Sequence, residues 1–187
     1  MARPVTIDDL FNVTLVGDPR LSPDGTQVAY VVSRLDKAAD DYRSAVWLVP
    51  TAGGEPRQLT SGSARDSAPR WSPDGRRIAF VSSRPPHLPV PPLVEAPPAG
   101  GAPAKPKAEP KPSPQVWVVP VDGGEARQLT NQPDGASSPA WSPDGQTIAT
   151  APMGGWLLAA IRVGQGGSFV SVGQSLPALL PGRAGAR

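Results

Sequence analysis

The chain has no cysteine, a single histidine and no acidic residue after Asp144. Without cysteine there are no disulfides and no thiolate metal sites, which fits a reducing, cytoplasmic setting. The one histidine, His87, is flanked by Pro86, Leu88 and Pro89, so it is read as an exposed loop residue with no fixed partner and no companions for a metal site. Long hydrophobic runs are also missing. The first 30 residues lack a charged start followed by 7–15 apolar residues, so no secretory signal is expected. The stretch Trp156 to Ile161 is far short of the roughly 20 residues that span a bilayer, so no membrane partner is expected. A pI near 9.3 invites a nucleic-acid reading, but the charges do not support it. The last 43 residues carry three arginines and no acid, while residues 1–144 hold 15 basic and 16 acidic side chains. The basicity therefore belongs to the tail and forms no basic groove.

What the chain does have is proline (26), glycine (20) and a repeat. Arg20-Leu21-Ser22-Pro23-Asp24-Gly25 returns as Arg70-Trp71-Ser72-Pro73-Asp74-Gly75 and as Ala140-Trp141-Ser142-Pro143-Asp144-Gly145. Each copy continues into an apolar run: Val28-Ala29-Tyr30-Val31, Ile78-Ala79-Phe80-Val81 and Ile148-Ala149-Thr150, where the third match stops. Val46-Trp47-Leu48-Val49-Pro50 returns as Val116-Trp117-Val118-Val119-Pro120, and Arg57-Gln58-Leu59-Thr60 as Arg127-Gln128-Leu129-Thr130. A Pro-rich insert, residues 85–114 with 12 prolines, makes the second unit longer than the first.

The local chemistry reads as strand, turn, strand. In Ser-Pro-Asp-Gly, Pro presets φ at the second turn position, Asp suits the third, and Gly takes the positive φ that follows. In Arg77 to Ser82, Ile78 and Phe80 share one face and Ala79 and Val81 the other. Apolar character on both faces predicts a strand covered on both sides, as in stacked sheets. Pro120 ends the next strand, and Asp122-Gly123-Gly124 turns the chain back. Units of about 50 residues made of short strands predict the blades of a β-propeller. Trp71 and Trp141 would hold a blade to its neighbour, with an upper bound of about 4–6 kcal/mol each if fully buried. Leu21 is the smaller anchor of the first unit.

These repeats resemble the WD-type propeller repeats of TolB-like proteins and of the prolyl oligopeptidase family of serine peptidases. The opening favours the peptidases. Thr6-Ile7-Asp8-Asp9-Leu10-Phe11 leading to Val16-Gly17-Asp18-Pro19-Arg20, together with Ser67-Ala68-Pro69-Arg70-Trp71, is similar to the start of the acylaminoacyl-peptidase-like branch over roughly residues 5–150. Thr6 and Asp9 would cap a short helix whose apolar face is Ile7, Leu10 and Phe11. The resemblance implies a non-catalytic propeller that limits peptide access to an α/β-hydrolase domain carrying a Ser-Asp-His triad. It also implies that this hydrolase domain is the missing partner, with peptides the ligands of the full-length family.

No catalytic site is expected in the chain itself. No stretch fits the Gly-x-Ser-x-Gly elbow of a hydrolase; Ser61-Gly62-Ser63-Ala64-Arg65 lacks the glycines. Asp24, Asp74 and Asp144 read as turn formers without the clustered oxygens that calcium needs. Gly53-Gly54 and Gly123-Gly124 are hairpin glycines, with no phosphate-loop pattern around them. Catalytic, cofactor-binding and metal residues are therefore all expected to be none, and no cofactor is implied.

The expected architecture is all-β: an incomplete propeller of about three blade-like antiparallel repeats over residues 1–150, a solvated polyproline-like insert at 85–114, and an irregular tail at 151–187. Within the insert, Pro89 to Pro92 makes a Pro-x-x-Pro. The composition change near residue 150 suggests a shifted reading frame or an interrupted gene, with a natural short tail as the alternative. Known propellers close with about 4–8 blades, so three repeats leave strand edges and a blade face open, and poor solubility is expected. A TolB-like binding or scaffold protein, and a subunit completing a ring with another chain, are the rival readings.

Overall fold

Each repeat folds as a four-stranded antiparallel sheet in a computed structural model that describes residues 6–85, 112–153, 159–163 and 171–173. The first blade is β1 (Thr14–Leu21), β2 (Gln27–Asp36), β3 (Asp41–Pro50) and β4 (Arg57–Gln58). The second is β5 (Asp66–Trp71), β6 (Arg77–Ser82), β7 (Gln115–Pro120) and β8 (Arg127–Gln128). The third is β9 (Ala136–Trp141), β10 (Thr147–Pro152), β11 (Ala159–Arg162) and β12 (Ser171–Gly173). Strands pair in chain order within each blade. The all-β, three-blade expectation holds. Most of the Pro-rich insert, including His87 and the Pro-x-x-Pro, lies outside the described residues.

The third blade departs from the sequence reading in one respect. Its outer strands β11 and β12 come from the stretch expected to be an irregular tail. Ile148 pairs with Ile161 and Ala149 with Ala160, while Ala160 pairs with Val172. The free edge of β10 offers unpaired N–H and C=O groups, and a passing segment that satisfies them is held by the ladder itself. Four residues, Ala159–Arg162, give too short an alternation to stand out in the sequence.

The core lies between blades. Ile78, Phe80, Trp117 and Val119 on one face of the second blade pack against Ala29, Val46 and Leu48 of the first. Ala79, Val81, Val116 and Val118 on its other face pack against Ala136, Ile148 and Ile161 of the third. The period of two in β6 and β7 thus feeds two separate cores, so both faces of the middle blade are buried.

The first strand of each blade lies innermost, with β5 against both β1 and β9. The Trp71 indole N–H donates to the Arg20 carbonyl at 2.9 Å, and that of Trp141 to the Arg70 carbonyl at 3.0 Å. Both tryptophans are only half-buried, so the full-burial bound is not reached. Each works as a hydrogen-bonded peg from one blade into the preceding one. At the other sheet position, Thr60 and Thr130 accept the Val46 and Val116 N–H groups at 2.9 and 2.8 Å, which ties each short fourth strand to the third.

Residues Ile7–Asn12 form a 3₁₀ helix, and the Thr6 N–H donates to the Asp9 carboxylate at 2.7 Å. The apolar face expected there is not buried, since Ile7 and Leu10 are exposed. In a 3₁₀ helix residues three apart eclipse, so Ile7 and Leu10 do share a face, but among the described residues that face is left exposed.

Candidate functional site

Ser-Pro-Asp-Gly closes each first hairpin with the same hydrogen bonds. The Gly25, Gly75 and Gly145 N–H groups each donate to the carbonyl of the turn serine at 2.9 Å, and the glycines sit at φ +66 to +73°. The hydroxyls of Ser22, Ser72 and Ser142 donate to the carboxylates of Asp24, Asp74 and Asp144. The same oxygens accept the N–H groups of Gln27, Arg77 and Thr147 at 2.9 Å. The serine hydroxyl, followed by the N–H of Thr26, Arg76 or Gln146, holds each carboxyl below its ordinary value. These acids act as ionised locks on their turns.

The opposite ends of the sheets look different. Each inner strand carries a bulge at the residue before a proline, where the register slips between Gly17 and Arg20, between Ser67 and Arg70, and beside Ser138. Asp18, Ala68 and Ser138 there adopt φ of 46, 52 and 54°. A non-glycine residue in that region costs on the order of 1–3 kcal/mol and persists only where its surroundings fix it. For Asp18 the fixing contacts are visible: Arg20 at 2.6 Å and Arg70 of the next blade at 3.2 Å.

Beside the bulges of the second and third blades lies a cavity of ≈ 470 Å³. Its polar lining includes Ser67, Ser83, Ser137 and Ser138, and its walls include Val81 and Met153. An ion pair between Arg65 and Asp41 stands at its border. Pro112 and Pro114, where the chain returns from the insert, close another side. Serine hydroxyls over apolar walls can hydrogen-bond a peptide backbone and hold small side chains. Neither a histidine nor a cluster of three or more potential metal ligands is found among the described residues. The arrangement suits binding.

A buried ion pair stands beside this region. Asp66 is fully buried, and its Oδ2 accepts from Arg84 at 2.7 Å. The Arg84 guanidinium lies 5.1 Å from the ring centres of Phe80 and Trp117. Ser44 of the first blade donates to the Asp66 carbonyl at 2.7 Å. Sequence reasoning missed this pair, because nothing in Arg84 or Asp66 marks them as partners 18 residues apart. It also passed over the bulges, whose signal was present: a proline stands two residues before Leu21, Trp71 and Trp141 in every repeat.

No protein-family model matches the chain. It is similar to the uncharacterized peptidase YuxL of Bacillus subtilis (strain 168), 36% identical over 169 residues. That match takes in 90% of this chain and 20% of the relative's length. A match of that extent necessarily runs past Thr150, beyond the point where the third repeat loses its motif. Among solved structures, the β-propeller domain of the Trilobed protease from Pyrococcus furiosus superposes with a TM-score of 0.52 at 18% identity, covering 79% of this chain and 38% of that one. Pyrococcus horikoshii acylaminoacyl peptidase gives 0.50 at 18% identity, covering 76% and 18%. Prolyl oligopeptidase B from Galerina marginata gives 0.50 at 16% identity, covering 86% and 22%. At these identities the structures speak for the fold, a β-propeller.

Proposed function

This chain matches the propeller portion of the prolyl/acylaminoacyl peptidase family and nothing else of it, and from that premise we propose that it is the non-catalytic, access-limiting part of a serine peptidase. The carrying observation is the 36% identity over nearly the whole chain, set against one fifth of the relative's length. The remaining length of such a protein leaves room for the α/β-hydrolase domain that the chemistry requires. Two features support the reading. The sequence contains one histidine and no Gly-x-Ser-x-Gly, so the nucleophile and its base belong elsewhere. The serine-lined cavity lies at the sheet ends away from the Ser-Pro-Asp-Gly turns, and its hydroxyls are neutral partners for a peptide passing toward a catalytic domain. The cysteine-free sequence agrees with a cytoplasmic setting.

The DNA beyond codon 150, read in all three frames and in the adjoining genes, tests this. A hydrolase segment with Gly-x-Ser-x-Gly is expected; its absence from every frame and neighbour overturns the proposal. The purified chain is expected to leave chromogenic peptides uncleaved, and turnover that a serine-directed inhibitor abolishes would refute the non-catalytic role.

A further inference from the structure

Arg20, Asp18 and Arg70 meet at the junction of the first two blades, and their charges do not balance. The Asp18 carboxylate lies 2.6 Å from the Arg20 guanidinium and 3.2 Å from that of Arg70. Two cations thus share one anion, and among the described residues neither cation is ion-paired with a second carboxylate. The blade fold does not require this arrangement. The third blade has Ser138 and Ala140 at the positions of Asp18 and Arg20, yet it keeps the bulge and the tryptophan peg.

Strand pairing shows which way these side chains lie, because directly paired residues point to the same face of a sheet. Arg70 pairs with Ala79, which is buried against the third blade, but its guanidinium reaches Asp18 of the first blade. The side chain therefore bends round the free inner edge of β5, the strand that lies innermost in its sheet. That puts the cluster on the axial side of the blades. Neighbouring blades already flank Arg70 on both sides, so its 31% exposure opens toward the axis. Arg20 pairs with Ala29, which is buried against the second blade, so it too lies on a covered side of its strand. The bulge has a second effect. It lets Ser67 and Arg70, three residues apart, share one face, since Ser67 pairs with Val81 and Arg70 with Ala79. Ser67 lines the serine cavity.

We propose that Arg20 and Arg70 form a clamp for a peptide carboxylate on the axial wall of the propeller, which rests on the reading that peptides pass along it. Each guanidinium presents five N–H donors in a planar fork that matches a carboxylate. Asp18 and the Pro69 carbonyl occupy only part of the two forks. A carboxylate held there lets the residues before it, roughly three in extended form, reach the cavity hydroxyl of Ser67. The carboxylate is that of the chain terminus or of an acidic side chain. Asp18 sets the strength of the clamp, since it holds both guanidiniums in place and neutralises one of their two charges.

Titration calorimetry of the full chain at low ionic strength, with tetraalanine, with tetraalanine amide and with that amide carrying one glutamate, tests this. The free acid is expected to bind about ten-fold or more tighter than the amide, as for charge-assisted hydrogen bonds. Recovery by the glutamate amide assigns the site to a side-chain carboxylate, and no recovery assigns it to the chain terminus; either result keeps the clamp. Arg70→Ala, which copies Ala140 of the third blade, is expected to remove the difference between acid and amide. Asp18→Asn keeps a residue that tolerates positive φ and is expected to tighten the free acid about two-fold or more, as for relief of an exposed ion pair. Arg76→Ala makes the same charge change as Arg70→Ala on an exposed turn residue and is expected to leave binding unchanged. Circular dichroism checks strand content, and if Arg70→Ala loses it, Arg20→Ala carries the test. Equal binding of acid and amide, no binding of either, or an Asp18→Asn variant that binds no tighter overturns the proposal. Binding is read on this chain alone, so failure of the clamp leaves the hydrolase search in the DNA as it stands, and failure of that search leaves the clamp as it stands.

Discussion

Replacing Arg84 by Met isolates the electrostatic part of the buried ion pair. Methionine keeps an unbranched apolar stem, shorter than that of arginine, and removes the charge that sits 2.7 Å from a fully buried carboxylate. Leaving a buried charge without its partner costs about 3–5 kcal/mol. The lost cation–π contacts add about 1 kcal/mol. Against a domain stability of about 5–15 kcal/mol this is a large fraction. With a urea m-value of about 2 kcal/mol/M, a loss of 4 kcal/mol lowers the unfolding midpoint by about 2 M. The double variant Asp66→Leu/Arg84→Met removes the orphaned charge as well. It should recover at least about 2 kcal/mol of the loss, because a buried ion pair and an apolar pair of similar volume differ little in net stability. Urea unfolding followed by tryptophan fluorescence and circular dichroism reads all three proteins. If the double variant is no more stable than Arg84→Met, the cost is lost packing, and the electrostatic reasoning is wrong.

Trp141→Phe is expected to cost about 1–2 kcal/mol, since it removes the indole hydrogen bond to the Arg70 carbonyl together with part of the ring's packing. Trp117→Phe should cost about 1 kcal/mol or less despite deeper burial, because the Trp117 indole N–H has no acceptor among the described residues; thermal melts that reverse this order would sink the peg assignment. Gly135→Ala should destabilise by about 2 kcal/mol more than Gly123→Ala, because its Cβ would meet the Pro114 carbonyl oxygen at 2.8 Å whereas that of Gly123 meets nothing within 4 Å. Equal midpoints for the two would remove the clash from the explanation. The three turn aspartates are held below the usual 3.8 mainly by their serines. Their contribution is therefore complete above that value and is lost as pH falls through the lower folded values. Ser72→Ala should flatten the acid limb of the stability–pH curve, and an unchanged limb in an acid titration of unfolding would contradict it.

Much of the fold was legible because it is local and repeated. Ser-Pro-Asp-Gly forms its turn from residues adjacent in the chain, and two-sided apolar strands such as Ile78 to Val81 state that something covers both faces. Three copies of that pattern were enough to place β1 to β10 and to point to the propeller family. The candidate site was less legible. The residues around the cavity come from β5, β6, β9 and the return of the insert, and serines at such positions carry no periodic signal. Strands β11 and β12 were hidden for a related reason, since their partners are set by the free edge of β10 and only weakly by their own residues.

By itself the sequence determined the blade unit, its turns and its apolar strands, because these depend on backbone preferences within a few residues. It also determined that the pattern Gly-x-Ser-x-Gly does not occur in it. Only the tertiary structure decided which blade faces meet, that Trp71 and Trp141 hydrogen-bond to the preceding blade, and that Arg84 neutralises Asp66. These depend on distances between segments tens of residues apart, which neither composition nor periodicity encodes.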